Sequence, residues 1–279
     1  MEAVTVRVPA STSNLGPGFD CLGVALRIYN TITVARRKGS RSSAMIEQAA
    51  DAFFTRAERK PLPFAAEIAG DVPVSRGLGS SVTVRLGVMH GLNVLLGRVL
   101  AREAIFELCA DLEGHPDNAA PAEFGGFNVI GAGHRQRFAV DAELKFVLLI
   151  PDFEVSTLKA RALLPTNVDR LSAVKSCGNA CAITAAFASG SYQNLRGAFA
   201  DHLHQPFRRP LIPFFDDAIA AAEEAGALGA FLSGSGSTIA AVTLRDARAV
   251  AENMRAAAGS EVRVITTTAD NRGARIVTR

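Results

Sequence analysis

The chain has 279 residues, 48% hydrophobic and 20% charged, with a formal net charge of +3. That is enough for one large domain or two modest ones, and too little charge to point to a nucleic acid or another polyanionic partner. Tryptophan is absent, no uncharged run reaches the roughly 20 residues of a membrane span, and the first residues read as a strand rather than a leader, so a reducing cytoplasm is expected.

Residues 3–8 and 29–35 alternate apolar and polar positions and read as strands. Between them lies Pro9-Ala-Ser-Thr-Ser-Asn-Leu-Gly-Pro-Gly-Phe-Asp20-Cys-Leu-Gly. The basic stretch 36–43 reads as a solvated connector. Residues 44–57 carry a helical pattern on Met45, Ala49 and Phe53, and residues 64–72 look like a strand. That strand leads into Pro73-Val-Ser-Arg-Gly-Leu-Gly-Ser-Ser81, whose last seven residues hold two glycines and three serines. Gly77 and Gly79 permit backbone geometries and close approaches that a side chain would block. A helix starting at Ser80 or Ser81 points its free N–H groups back into this loop, and such an end binds anions. Phosphate is the expected guest, although the loop taken alone could be a surface turn.

Residues 82–96 carry two patterns. Val82 to Val88 alternates like a strand, whereas the length and the apolar positions 82, 86, 89, 92 and 96 favour a helix; periodicity alone leaves both open. A helix covers 101–114, with Ile105, Leu108 and Leu112 inward, and runs into Glu113-Gly-His-Pro-Asp-Asn-Ala-Ala-Pro-Ala-Glu-Phe-Gly-Gly126. A strand at 145–151 ends a first domain, 1–150. The second, 151–279, holds helices at 157–163, 172–188, 192–202, 213–225 and 246–257, and strands at about 229–232, 238–244 and 262–268. This mixture suits an α+β sandwich. Residues 272–279 either fray or add an edge strand. The four cysteines, Cys21, Cys109, Cys177 and Cys181, show no C-x-x-C spacing, so no zinc site is expected. Cys177 and Cys181 share a helical face that could hold a redox or metal pair, but buried, reduced thiols are the expectation.

In order and spacing, the segments at 9–23 and 73–81, with Gly226-Ala-Leu-Gly-Ala-Phe-Leu-Ser-Gly-Ser-Gly-Ser-Thr238, resemble the motifs of the GHMP kinases, which act on small molecules. The 113–126 segment and Glu154-Val-Ser-Thr-Leu-Lys-Ala-Arg161, followed by Leu164-Pro165, narrow the resemblance to the homoserine kinase family. It runs from about residue 5 to about residue 242. It implies an α+β, two-domain architecture: an N-terminal ribosomal protein S5 domain 2-like domain and a C-terminal ferredoxin-like α/β sandwich, with a helix over 82–96. It also implies ATP-dependent phosphorylation of the side-chain hydroxyl of L-homoserine, on the route to threonine, with Mg²⁺, in a homodimer.

Phosphoryl transfer needs a cradle for the phosphates, a cation and a positioned acceptor hydroxyl. No Walker pattern is present, so backbone N–H groups of residues 77–81 must do most of the cradling. By resemblance, Pro73, Arg76, Gly77, Leu78, Gly79, Ser80 and Ser81 hold the nucleotide, and Ser233, Gly234, Ser235 and Gly236 approach them. Mg²⁺ is expected on Ser81 and on a helix glutamate. In related kinases that glutamate lies eleven residues before a position that mevalonate-kinase-like members fill with a catalytic aspartate. Here the position is Asn118, and the count gives Glu107. Glu113 is the rival, or a brace for the loop. An amide is no general base near neutral pH, so Asn118 points to catalysis by positioning and electrostatics, with the proton leaving through the γ-phosphate. His115 and Asp117 flank it; His115 reads as a base or as a hydrogen-bonding brace.

Homoserine's ammonium calls for an acid and its carboxylate for arginine. By resemblance Asp20 takes the ammonium, Asn14 orients the amino acid or its hydroxyl, and Arg161 and Arg208 take the carboxylate with Thr157 nearby. Arg209 is the alternative to Arg208. The chain departs from the family at Val82-Thr83, Ser237, Ser176 and Asn179, and its 36–44 region is short, which bears on adenine contacts and substrate fit. Rival readings are a kinase for another small alcohol, a non-catalytic ligand sensor on this fold, and an RNA-binding module. Asp20 with two arginines favours an amino-acid acceptor, both Ser81 and the candidate glutamates are kept, and there is no dense basic stripe for RNA.

Overall fold

Alternation along the first strand sets the architecture. In β1 (Ala3–Ser13) Val4, Val6 and Val8 are fully buried on one face, and the strand pairs antiparallel with β2 (Leu22–Ala35). The computed structural model describes residues 2–37, 43–131, 133–259 and 261–277; most of the basic connector at 36–43 lies outside them. Both strands outrun their predicted lengths because Ala10–Ser13 and Gly23–Leu26 continue the ladder past a bulge at Pro9/Ala10. α1 (Ala44–Arg56) is capped by Ser43, whose hydroxyl accepts from the Ile46 N–H. β3 (Ala65–Gly70) pairs with the far half of β2.

α2 (Ser80–Leu95) resolves the double pattern at 82–96. It packs between β1, β2, α1 and α3 (Arg102–Glu113), so most of its side chains are buried and no clean amphipathic period survives. α4 (Ala119–Phe124), β4 (Phe127–Gly131) and β5 (His134–Phe138) follow, where the sequence suggested no element. The second half comprises β6 (Lys145–Pro151), α5 (Thr157–Ala162), α6 (Arg170–Ser189), α7 (Gln205–Arg208), α8 (Phe215–Glu224), β7 (Gly229–Leu232), β8 (Ile239–Thr243), α9 (Ala247–Ala258), β9 (Val262–Thr267) and β10 (Arg275–Ile276). The helix expected over 192–202 is one 3₁₀ turn, Tyr192–Leu195, because the chain goes extended at Arg196 and Gly197 takes φ +78°.

Two antiparallel sheets result. One has the order β10-β1-β2-β4-β5, with β3 also on β2; the other is β7-β8-β6-β9. β6 therefore belongs to the second sheet, although it lies on the N-terminal side of the division expected after residue 150. The chain then crosses back. The Asp270 N–H donates to Ala25 O, the Arg27 N–H donates to Thr268 O, and β10 forms the edge of the first sheet, so residues 268–277 belong with the N-terminal half. Each sheet covers helices on its outer face: Val6 and Ile32 meet α1 and α2, while Val147 and Leu149 meet α8 and α9. Between them, Leu26, Phe127, Phe146, Leu148, Phe187 and Phe231 share one core. β6 reads as a continuous apolar run because Phe146 and Leu148 face this core while Val147 and Leu149 face the helices.

Among the described residues no helix is long and apolar enough to cross a membrane. All four cysteines are free. Cys109 is buried and Cys21 half-buried, but Cys177 and Cys181 are exposed, since α6 turns Ser176, Ile183 and Phe187 inward instead.

Candidate active site

The end of β1 carries Ser11, Thr12, Ser13 and Asn14 into the interior, each at most 2% exposed. Buried polar groups need partners, and these come from three other segments. The Ser11 N–H donates to Leu78 O at 3.2 Å. The Ser11 hydroxyl donates to Asn118 Oδ1 and Asn118 Nδ2 donates to Ser13 Oγ, both at 2.8 Å. Thr12 Oγ1 lies 2.8 Å from Ser233 Oγ, and Asn14 Nδ2 donates to Gly234 O at 3.0 Å. This strand end is thus a crossbar joining the 74–79 loop, the 113–118 turn and the 233–236 turn. Together they frame a cleft of about 850 Å³.

Along one wall runs the glycine loop. Gly77 has φ +72° and Gly79 φ +68°; a Cβ would collide with Ser233 O at the first and Ser11 Oγ at the second. Gly79 is the N-cap of α2 and offers no capping side chain, so the first N–H groups of the helix are left for a ligand. Arg76 is committed to bracing: its Nε donates to Pro151 O at 2.9 Å and its guanidinium lies 3.4 Å from Glu154. Pro73 does not line the cleft; it borders a smaller cavity behind the loop with Ile150 and Val262. Ser233 and Gly236 support the cleft from behind, and Gly234 and Ser235 reach it. Ser237 Oγ donates to Phe153 O at 2.6 Å.

At the second residue of α2, the Ser81 hydroxyl donates to Glu113 Oε2 at 2.9 Å, and Arg85 donates to Glu113 Oε1 at 2.8 Å. Glu107 is exposed and does not line the cleft. The structure therefore brings Ser81 together with Glu113 and leaves Glu107 outside the cleft. Arg85, which the sequence analysis missed, stands four residues after Ser81 on the same helical face, and its Nε is buried without a partner.

The other end of the cleft is ionic. Arg161 holds Asp20 with two bonds, at 2.7 and 3.0 Å. His115 Nδ1 lies 2.5 Å from Asp117 Oδ1, and Asp20, His115 and Asp117 converge within 4.8 Å. Burial works against the Asp117 carboxylate, but His115, Ser13 and the Asn118 N–H outweigh it and hold its pKa below the usual range. Burial likewise opposes the His115 cation, and the Asp117 hydrogen bond and charge nonetheless raise its pKa. Arg208 is 2% exposed; it donates to Ala160 O and Gly234 O, and burial followed by Arg161's charge brings its pKa down to about 10. It remains a cation at neutral pH. The Phe19 ring lies 5.4 Å from the Arg161 guanidinium and 5.2 Å from that of Arg208. Arg209 instead turns outward to Asp216. Thr157 Oγ1 meets Ser235 Oγ at 3.2 Å. The Asn14 amide is occupied by backbone, since its Oδ1 accepts from the Asp20 N–H. Ser176 and Asn179 bond to the backbone at His202 and Ala200 and do not line the cleft.

The glycine-loop wall continues outward to Met45, Ile68 and Val74, an apolar set that no motif announced. One cleft thus holds the N-terminal N–H groups of α2, the Ser81–Glu113 oxygen pair and a cluster of two acids and two arginines.

Comparison with known proteins agrees with this layout. Residues 44–126 match the GHMP kinases N terminal domain family, and residues 183–260 match the GHMP kinases C terminal family. The chain is 37% identical to a homoserine kinase of Caldicellulosiruptor bescii over 275 residues, covering 92% of this chain and 90% of that one. It is 42% identical to the homoserine kinase of Deinococcus radiodurans over 255 residues, covering 84% and 82%. The crystal structure of homoserine kinase from Cytophaga hutchinsonii superposes with a TM-score of 0.90 at 25% identity, covering 99% of this chain and 98% of that one.

Proposed function

The chain belongs to the homoserine kinases of the GHMP superfamily, and from that premise we propose how its cleft phosphorylates the side-chain hydroxyl of L-homoserine with ATP. The observation that carries the proposal is the placement of Asp20, Asp117, Arg161 and Arg208 in the same cleft as the glycine loop. A zwitterionic amino acid matches this set. Its ammonium replaces Arg161 on Asp20, beside Asp117, and its carboxylate replaces Asp20 on Arg161, beside Arg208. A ligand with one charge only would leave a half-buried partner unpaired.

The ATP phosphates lie against the N–H groups of residues 77–81 and the start of α2, with the base toward Met45, Ile68 and Val74. Ser81 and Glu113 fit Mg²⁺: they are hard oxygen donors 2.9 Å apart, and Arg85 fixes the other carboxylate oxygen. When bound, the ion neutralises charge on the β- and γ-phosphates. The homoserine oxygen attacks the γ-phosphorus, the bond from phosphorus to the bridging oxygen breaks, and ADP leaves. Ser11 and Ser13 hold the Asn118 amide in one orientation, so it positions the hydroxyl without removing its proton. Asp117 holds His115, which acts as a brace. The proton passes to the phosphoryl oxygens. The resemblance also carries a homodimer, which sedimentation velocity checks.

The test is ADP release by the purified protein with Mg-ATP and L-homoserine, L-serine, mevalonate, galactose or no acceptor. Turnover with homoserine well above every other acceptor is expected. Turnover with mevalonate or galactose in preference to homoserine would keep the phosphate end and overturn the acceptor end.

A further inference from the structure

His204 is fully buried and does not line the cleft. A buried imidazole needs a partner for each ring nitrogen. Nε2 lies 2.8 Å from Gly16 O, and Nδ1 lies 3.3 Å from Arg208 Nη1. Those partners fix the proton. A carbonyl only accepts and a guanidinium only donates, so the ring is the neutral tautomer, with its hydrogen on Nε2 and a lone pair on Nδ1. Burial, joined by the Arg208 charge and opposed by Asp201, lowers the His204 pKa in the same sense.

The two bonds end on opposite sides of the acceptor pocket. Gly16 belongs to the turn that carries Asp20. There Asn14, Leu15 and Asp20 take φ of +69°, +47° and +58°, a left-handed backbone that non-glycine residues keep only when their surroundings hold it. His204 also stacks on Phe19 of that turn, with ring centroids 5.1 Å apart. On the other side, Arg208 Nη1 donates to His204 Nδ1 and to Gly234 O, and Nε donates to Ala160 O. Nη2 is then the one guanidinium nitrogen without a partner among the described residues, and Arg208 borders the cleft. We propose that His204 is a positioning residue: it ties the Asp20 turn to the Arg208 guanidinium, turns Nη2 toward the acceptor, and so sets the spacing at which the cleft takes the ammonium and the carboxylate of one amino acid. This role in specificity rests on the acceptor assignment made above; the tie itself does not.

The experiment separates the two ring nitrogens. His204→Gln can keep a donor toward Gly16 O but has no acceptor at the Nδ1 position. It should raise the homoserine KM about tenfold, the loss expected when a charged donor is left without its partner, with the ATP KM unchanged. His204→Asn places Oδ1 where Nδ1 was and should recover most of that loss. Both variants lose the ring that stacks on Phe19, so a merely structural role would move them alike, and equal homoserine KM values would overturn the proposal. Nitrogen-15 NMR of the five histidine rings in the parent needs no variant to fold. It should show His204 protonated on Nε2 alone, with an Nδ1 resonance that homoserine shifts and ADP does not. A ring protonated on Nδ1, or an Nδ1 signal indifferent to saturating homoserine, would overturn it as well. If the parent turns over no homoserine, the acceptor reading fails, and the tautomer still decides whether the ring ties Gly16 to Arg208.

Discussion

Glu107 and Glu113 lie on one helix, about 9 Å apart along its axis and about 120° apart around it. They cannot serve the same metal. Glu113 is 11% exposed and faces Ser81, whereas Glu107 faces solvent. Glu113→Gln should therefore lower kcat about a hundredfold or more and raise the Mg²⁺ concentration needed for half-maximal rate. Glu107→Gln should stay near the parent. ADP release across a Mg²⁺ series checks both, and the reverse pattern would return the metal to Glu107. Much of the cleft's lining was legible in the sequence, which singled out Gly77, Gly79, Ser81, Asp20 and Arg161. Their partnerships were not. Counting back from Asn118 assumes a fixed turn length between helix and asparagine, and here the turn is only Gly114 to Asp117. The Asp20–Arg161 pair spans 141 positions, and no local pattern encodes it.

Elements with a clear apolar period were readable, and β5 and α4, which lack one, were not. β5 shows the limit: His134, Arg135, Gln136 and Arg137 are polar, and the strand sits at a sheet edge with little burial. α4 shows another, since it lies inside a motif and five of its six residues are buried, including Glu123. That carboxylate ties three helices together. His90 of α2 lies 2.8 Å from it, and Arg102 of α3 donates to it at 2.5 Å. Burial alone would raise the Glu123 pKa, but His90 and Arg102 outweigh it and hold it below the usual glutamate range. A depressed folded pKa stabilises the fold above the unfolded value and loses that contribution as pH falls through the folded one. Glu123→Gln should thus destabilise the protein by about 3 kcal/mol at neutral pH, and its acid limb should be flatter than the parent's below about pH 4.3. Urea unfolding at several pH values measures both; parallel acid limbs would remove Glu123 from the account.

At the scale of the whole molecule, the two sheets are not independent bodies. Leu26 and Phe127 of the first share a core with Phe146 and Phe231 of the second, and the chain returns from β9 to close the first sheet. Asp270 fastens that return. It is 3% exposed; one oxygen accepts from the Arg272 and Gly273 N–H groups at 2.7 Å, and the other from Tyr29 at 2.8 Å and Arg275 at 3.2 Å. An amide of the same shape can accept on one side only and brings two hydrogens where donors already point. Asp270→Asn should cost about 2–3 kcal/mol, the loss expected for charge-assisted bonds left unmet in a buried site. The loss should appear in both halves at once, although Asp270 touches only the first sheet. Hydrogen exchange across a denaturant series, read on peptides from β2 and β8, should give coincident transitions in the parent and a common shift in the variant. If β2 lost protection while β8 kept it, the shared core would not couple the sheets, and the 268–277 segment would be fastening one domain alone. The glycine loop makes the coincidence matter for catalysis. Its Gly77 carbonyl accepts from Ser233 at 2.6 Å and its Arg76 donates to Pro151 O, so the proposed phosphate cradle is built only when both sheets are in place.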